Sequence, residues 1–70
     1  MDDLKLAILG VVEEANKRNV YPDVNYIYGE LRRQGSDATL EEVTAAFDDL
    51  RVDGRLEQYG YYRVASVVLQ

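Results

Sequence analysis

The sequence predicts an α+β domain in which three helices precede a short β-hairpin. Apolar residues recur with a period of about 3.6 in three successive segments, which is typical of amphipathic helices. Thr39 and Glu42 form the spacing of a helix-capping box at the start of the third segment. Two short alternating segments then flank Tyr59-Gly60, a dipeptide suited to a tight hairpin turn. A chain of 70 residues provides one such domain.

The first helix is predicted at about residues 2 to 18. Leu6 and Leu9 fall on nearly the opposite side from its apolar stripe, and two interpretations stay open. Exposed leucines are ordinary on a protein surface, or the pair forms a second apolar face for self-association beside Gly10, which permits close approach. The stripe itself consists of Leu4, Ala7, Ile8, Val11, Val12 and Ala15.

The second helix is predicted at about residues 23 to 34, after a connector in which Val20 and Tyr21 can form a short edge strand. Asp23 suits the helix start, and Gly35 suits the left-handed residue that ends it. Tyr26 is placed on its outer face. The predicted buried positions are Val24, Ile27, Tyr28 and Leu31.

The third helix is predicted at about residues 40 to 53, followed by a hairpin at residues 55 to 64 and an apolar tail at residues 65 to 70. Gly54 ends this helix, and its buried stripe is Val43, Ala46, Phe47 and Leu50. The tail either extends the last strand or packs beside the first helix. We expect it to be covered, within the chain or by a second subunit, because an uncovered apolar strand promotes aggregation.

Three segments together resemble the winged helix-turn-helix superfamily over nearly the whole chain. They are IYGELRRQG, a second helix with its glycine exit; TLEEVTAAFDDLRVDGRLE, a third helix entering the first wing strand; and YGYYRV, a closing wing strand. Members of this superfamily mostly bind DNA, and many serve as protein-interaction modules. The resemblance implies a winged-helix fold and a DNA-associated transcriptional regulator.

The charge pattern opposes the usual use of a third helix in DNA recognition. The net charge is −5, and residues 40 to 53 carry five acids and one arginine. Affinity for DNA comes largely from cations that neutralise phosphates, so an acidic face is repelled. At 100° per residue, the outward face is predicted to be Glu41, Glu42, Ala45, Asp48, Asp49 and Val52.

Two functions therefore stay open, and both are predicted for a homodimer. In the first, the protein is a DNA-associated regulator that contacts DNA through Arg32, Arg33, Arg51, Arg55, Tyr59 and Arg63. In the second, it is a protein-interaction module that binds a basic partner through Glu41, Ala45, Asp48, Asp49 and Val52. The predicted dimer contacts are Leu6, Leu9, Val67 and Leu69.

The residue inventory argues against an enzyme. The chain has no cysteine and no histidine, which are common nucleophiles, bases and metal ligands. No glycine-rich phosphate loop is present, so we expect no cofactor, metal or small-molecule ligand. No apolar run approaches the roughly 20 residues that span a bilayer, and the start of the chain lacks the features of a secretory signal. These absences favour a cytoplasmic protein that does not contact membranes.

Overall fold

A computed structural model describes residues 3–58 and 62–64, without the side chains of Gln58 and Arg63. Three helices come first: α1 (Asp3–Lys17), α2 (Val24–Arg33) and α3 (Leu40–Val52). Two three-residue strands follow, β1 (Leu56–Gln58) and β2 (Tyr62–Val64), which pair antiparallel with Leu56 opposite Val64. The predicted α+β class is therefore confirmed. The predicted turn at Tyr59-Gly60 and the tail at 65–70 lie outside the described residues.

The core is built from the inward faces of all three helices and one strand residue. Each helix contributes positions that its 3.6-residue period predicts, but four members of the predicted stripes are only half-buried against this core: Leu4, Ala7, Val24 and Tyr28. Each fully buried aliphatic side chain stabilises the fold by about 1.5–3 kcal/mol. The described part of the chain contains no buried polar residue. The buried core residues are Ile8, Val11, Val12, Ala15, Ile27, Leu31, Val43, Ala46, Phe47, Leu50 and Leu56.

The helix starts follow from local chemistry that the sequence predicts. The side chain of Asp23 accepts a hydrogen bond of 2.8 Å from the backbone N–H of Tyr26. At α3, Thr39 and Glu42 form both hydrogen bonds of the capping box. Each bond satisfies a backbone N–H that the first helical turn leaves unpaired.

All three helices end with the same backbone arrangement, a left-handed residue followed by a hydrogen bond back to the last turn. Gly35 and Gly54 adopt the predicted positive φ angles of 91° and 77°. The end of α1 was not predicted, because the left-handed residue there is Asn19, with φ of 58°. Asparagine tolerates this conformation better than most residues. The bond from the N–H of Arg55 to the carbonyl of Leu50 (2.8 Å) fixes how the chain leaves α3.

Three predictions about the helices and connector were wrong in detail. Leu9 is predicted on the exposed side of α1, opposite the apolar stripe, and Tyr26 on the outside of α2, but both are half-buried against the core. A helical wheel shows the direction in which each side chain leaves the helix, but it does not show how far a long side chain reaches towards the core. Val20 and Tyr21 form no strand, because the N–H of Val20 is used in ending α1 through a bond to Ala15.

Strand β2 lies against α1 and next to the end of α3. The side-chain amide of Asn16 donates a hydrogen bond of 2.9 Å to the backbone carbonyl of Tyr62. The Tyr62 ring packs edge-on against Phe47, with 5.0 Å between centroids, and stacks with Tyr21 at 6.0 Å. Tyr62 therefore joins the connector, β2 and α3 in one aromatic cluster.

Candidate interaction surface at the end of α3

The outward face of α3 is fully exposed, as its periodicity predicts. All six predicted positions, from Glu41 to Val52, are exposed to solvent. Among the described residues, Val52 is the most exposed large apolar residue, at 85%. Folding buries little of this apolar side chain, so it is a candidate contact for a partner.

Most of the acids on this face have an intramolecular role that the sequence alone did not reveal. Glu42 belongs to the capping box. Asp48 pairs with Arg51 at 2.9 Å, and Asp49 pairs with Lys5 of α1 at 3.5 Å. Glu41 lies in the first turn, where a negative charge complements the helix dipole. The outward face is therefore acidic in composition, but two of its acids already have cations beside them.

An open groove of about 450 Å³ lies between the end of α3 and the strand pair. Asp48, Arg51 and Val52 line it from the helix, and Leu56 and Tyr62 line it from the strands. The guanidinium of Arg51 lies over the Tyr62 ring, 5.9 Å from its centroid, while pairing with Asp48. We call these five residues the α3 groove.

The α3 groove contains residues that sequence reasoning assigned to different functions. Arg51 was predicted to bind DNA, whereas Asp48 and Val52 were predicted to bind a protein. Leu56 and Tyr62 were not predicted as site residues. The period-2 alternation of the strands indicates that these two share a face, but only the packing of the Tyr62 ring against α3 brings that face to Val52.

The predicted DNA-contacting arginines whose side chains the structure describes fall into two groups, at opposite ends of α3. Arg33 pairs with Glu30 at 2.9 Å, and Arg32 lies over the Tyr28 ring at 5.9 Å. Arg32 and Arg33 lie at the end of α2, just before the connector that leads to the start of α3. Arg51 and Arg55 lie at the opposite end of α3. A helix of 13 residues is about 20 Å long, so the acidic face separates the two groups.

Arg55 is exposed, and no ion pair joins it to the described residues. The backbone of Arg63 pairs with Glu57. The side chain of Arg63 and the whole of Tyr59 lie outside the described residues. Of the predicted nucleic-acid contacts, Arg55 is thus the one that the described structure leaves exposed and uncommitted.

The predicted α1 dimer face is reduced to one leucine in the described chain. Leu6 is 54% exposed, whereas Leu9 is half-buried in the core of its own chain. Val67 and Leu69 lie outside the described residues. Gly10 borders a small cleft of about 110 Å³ between α1 and α2. That volume is below the 300–1,000 Å³ typical of small-molecule pockets.

No group of three or more acidic, histidine or cysteine side chains within residues 3–58 and 62–64 is arranged to hold a metal ion. None of the three helices described has the length and apolar character required to cross a bilayer. Comparison of the chain with protein-family models, with curated proteins and with solved structures gives no match.

Proposed function

We propose that the chain is a winged-helix protein-interaction module, a small non-catalytic regulator that contacts its partner through the end of α3. The order of elements, with two strands after the third helix and β2 packed on α1, supports the winged-helix assignment. The single observation that carries the functional proposal is the exposure of Val52 in the α3 groove.

The energetics of recognition favour this site over the rest of the outward face. The residues that dominate a protein interface are most often tyrosine, tryptophan or arginine, placed near its centre where surrounding contacts exclude water. The α3 groove offers Val52, the Tyr62 ring and a neighbouring ion pair in one place. Glu41, Ala45 and Asp49 flank this contact and set the charge that a partner meets.

Capture of partners from native cell extract tests the proposal. We expect the immobilised chain to recover a protein that is lost with Val52→Ser and with Asp48→Lys. Leu6→Ser is the matched control, because it also replaces an exposed apolar residue by serine but lies on α1. Retention of every recovered protein by both α3 variants would exclude this surface.

A DNA-associated regulator is the second candidate, and Arg55 is the observation that favours it. Arg55 is exposed beside the strand pair, on the same end of α3 as Arg51. Titration of a labelled mixed-sequence duplex at low salt tests this role. Binding tighter than about 100 μM, the weak end of non-specific affinity, that Arg55→Ala weakens and Arg18→Ala does not would support it. Absence of binding at that concentration would exclude it.

A further inference from the structure

The α3 groove carries both signs of charge, which restricts the partner it fits. Asp48 and Arg51 are three residues apart and form an ion pair of 2.9 Å. Val52, four residues after Asp48, shares their side of the helix. A purely basic partner would meet Arg51, and a purely acidic partner would meet Asp48. The complementary surface carries one cation and one anion in the opposite order.

A second copy of α3 running antiparallel provides that surface. Reversing the helix places Arg51 of the second copy against Asp48 and Asp48 of the second copy against Arg51. The same contact occurs twice, as two-fold symmetry requires. A parallel arrangement would instead place like charges opposite each other, which costs free energy.

We propose that the partner of the α3 groove is a second copy of this chain, docked through an antiparallel pair of α3 helices. This inference rests on the proposed function, since it uses the same surface. It moves the dimer contact from Leu6 and Leu9 of α1 to the end of α3. In each copy the intramolecular pair between Asp48 and Arg51 is exchanged for an intermolecular one, so the number of ion pairs is unchanged and the net gain comes from covering Val52 and the Tyr62 ring.

When position 48 of one copy faces position 51 of the other, the two-fold axis passes between positions 49 and 50. Val52 of one copy then falls opposite position 47 of the other. There the Tyr62 ring packs against Phe47 and lines the groove. Glu41 and Glu42 fall beyond the end of the facing helix, so their charges do not oppose each other. Asp49 lies close to the axis, and Lys5 balances its charge within each copy.

The size of the groove predicts a weak dimer. A standard protein interface involves about 20–30 residues on each side, whereas five residues line the α3 groove. Association must therefore be measured up to millimolar concentration, by sedimentation equilibrium. We expect a reversible monomer–dimer equilibrium for the unmodified chain.

Charge exchange tests the pairing directly. Asp48→Arg and Arg51→Asp are each expected to weaken self-association by about tenfold or more, since each places like charges across the axis. An equimolar mixture of the two variants restores both opposite-charge contacts, and we expect a heterodimer tighter than either homodimer. Asp37→Arg, which makes the same charge change as Asp48→Arg but at an exposed connector position, should leave association unchanged. Equal association of all variants would overturn the proposal, and circular dichroism confirms that each variant is folded.

Cross-linking provides a second test that leaves these charges unaltered. The chain has no cysteine, so each introduced thiol reports on one position. In the proposed register the two copies of residue 52 are about 8 Å apart along the helix axis, and those of residue 41 about 25 Å apart. A short bismaleimide should therefore link Val52→Cys and not Glu41→Cys.

The outcomes separate this inference from the function on which it rests. Linking through Leu6→Cys but not Val52→Cys would move the dimer to α1 and overturn the inference. A monomer at millimolar concentration that captures another protein through Val52 would also overturn it and leave the proposed function standing. A monomer with no Val52-dependent partner would overturn both.

Discussion

The inward and outward faces of α3 have different roles. On the inward face, Val43 and Leu50 are completely buried and Phe47 is 3% exposed. On the outward face, Val52 is 85% exposed two residues after Leu50. The inward residues contact the other helices and determine whether the chain folds. Apart from Glu42 in the capping box, the outward residues contribute little to folding, so their arrangement indicates what the folded chain can contact.

The largest expected effect is on the inward face. Leu50→Ala should lower the free energy of unfolding by about 2–5 kcal/mol, through lost burial and the cavity left behind. Since small domains are stable by only about 5–15 kcal/mol, this loss is a large fraction of the total stability. Urea denaturation followed by circular dichroism measures the change. A loss below about 1 kcal/mol would contradict the placement of Leu50 in the core.

The next effect concerns the start of α3, where the capping box fixes the position at which the helix begins. Thr39→Ala removes the hydroxyl that accepts a hydrogen bond from the N–H of Glu42. We expect a loss of about 0.5–2 kcal/mol. Thr44→Ala is the matched control, because this exposed threonine lies within the helix and alanine has the higher helix propensity. Equal destabilisation by both changes in urea denaturation would show that the capping box is not stabilising.

The fold was largely predictable because its signals are local. The capping box, the two glycine stops and the buried stripes each depend on residues within a few positions of one another. Asn19 escaped prediction because asparagine, unlike glycine, adopts the left-handed conformation only in some contexts. Leu9 and Tyr26 were placed outside because side-chain length, which periodicity ignores, lets them reach the core.

The candidate site was less predictable because it depends on contacts between distant segments. The outward positions of α3 were predicted, but the pairing of Asp49 with Lys5 joins two helices. Val52 and Tyr62 line the same groove because the Tyr62 ring of β2 reaches Phe47 of α3. Charge composition alone therefore suggested a basic partner, whereas the arrangement of pairs favours a self-complementary one.

A smaller effect tests whether the outward acids stabilise the fold. A double-mutant cycle of Lys5→Met and Asp49→Asn should give a coupling free energy of about 0.2–1 kcal/mol, as for other exposed ion pairs. The cycle isolates the interaction between Lys5 and Asp49, because the contributions of the other contacts of Lys5 cancel in it. The coupling should fall further in 1 M salt, where the screening length is about 3 Å. A coupling free energy above about 2 kcal/mol in urea denaturation would show that Asp49 contributes substantially to the stability of the fold.

The smallest expected effect on stability is at Val52, and it separates the two faces most clearly. Val52→Ser removes little buried area, and the two residues have similar helix propensities. The free energy of unfolding should therefore change by less than about 0.5 kcal/mol, the usual range for surface positions. The same change should weaken self-association in sedimentation equilibrium, because the apolar contact in the α3 groove is lost. Destabilisation comparable to that of Leu50→Ala would assign Val52 to the core. Unchanged stability together with unchanged association would leave the outward face without the role proposed for it.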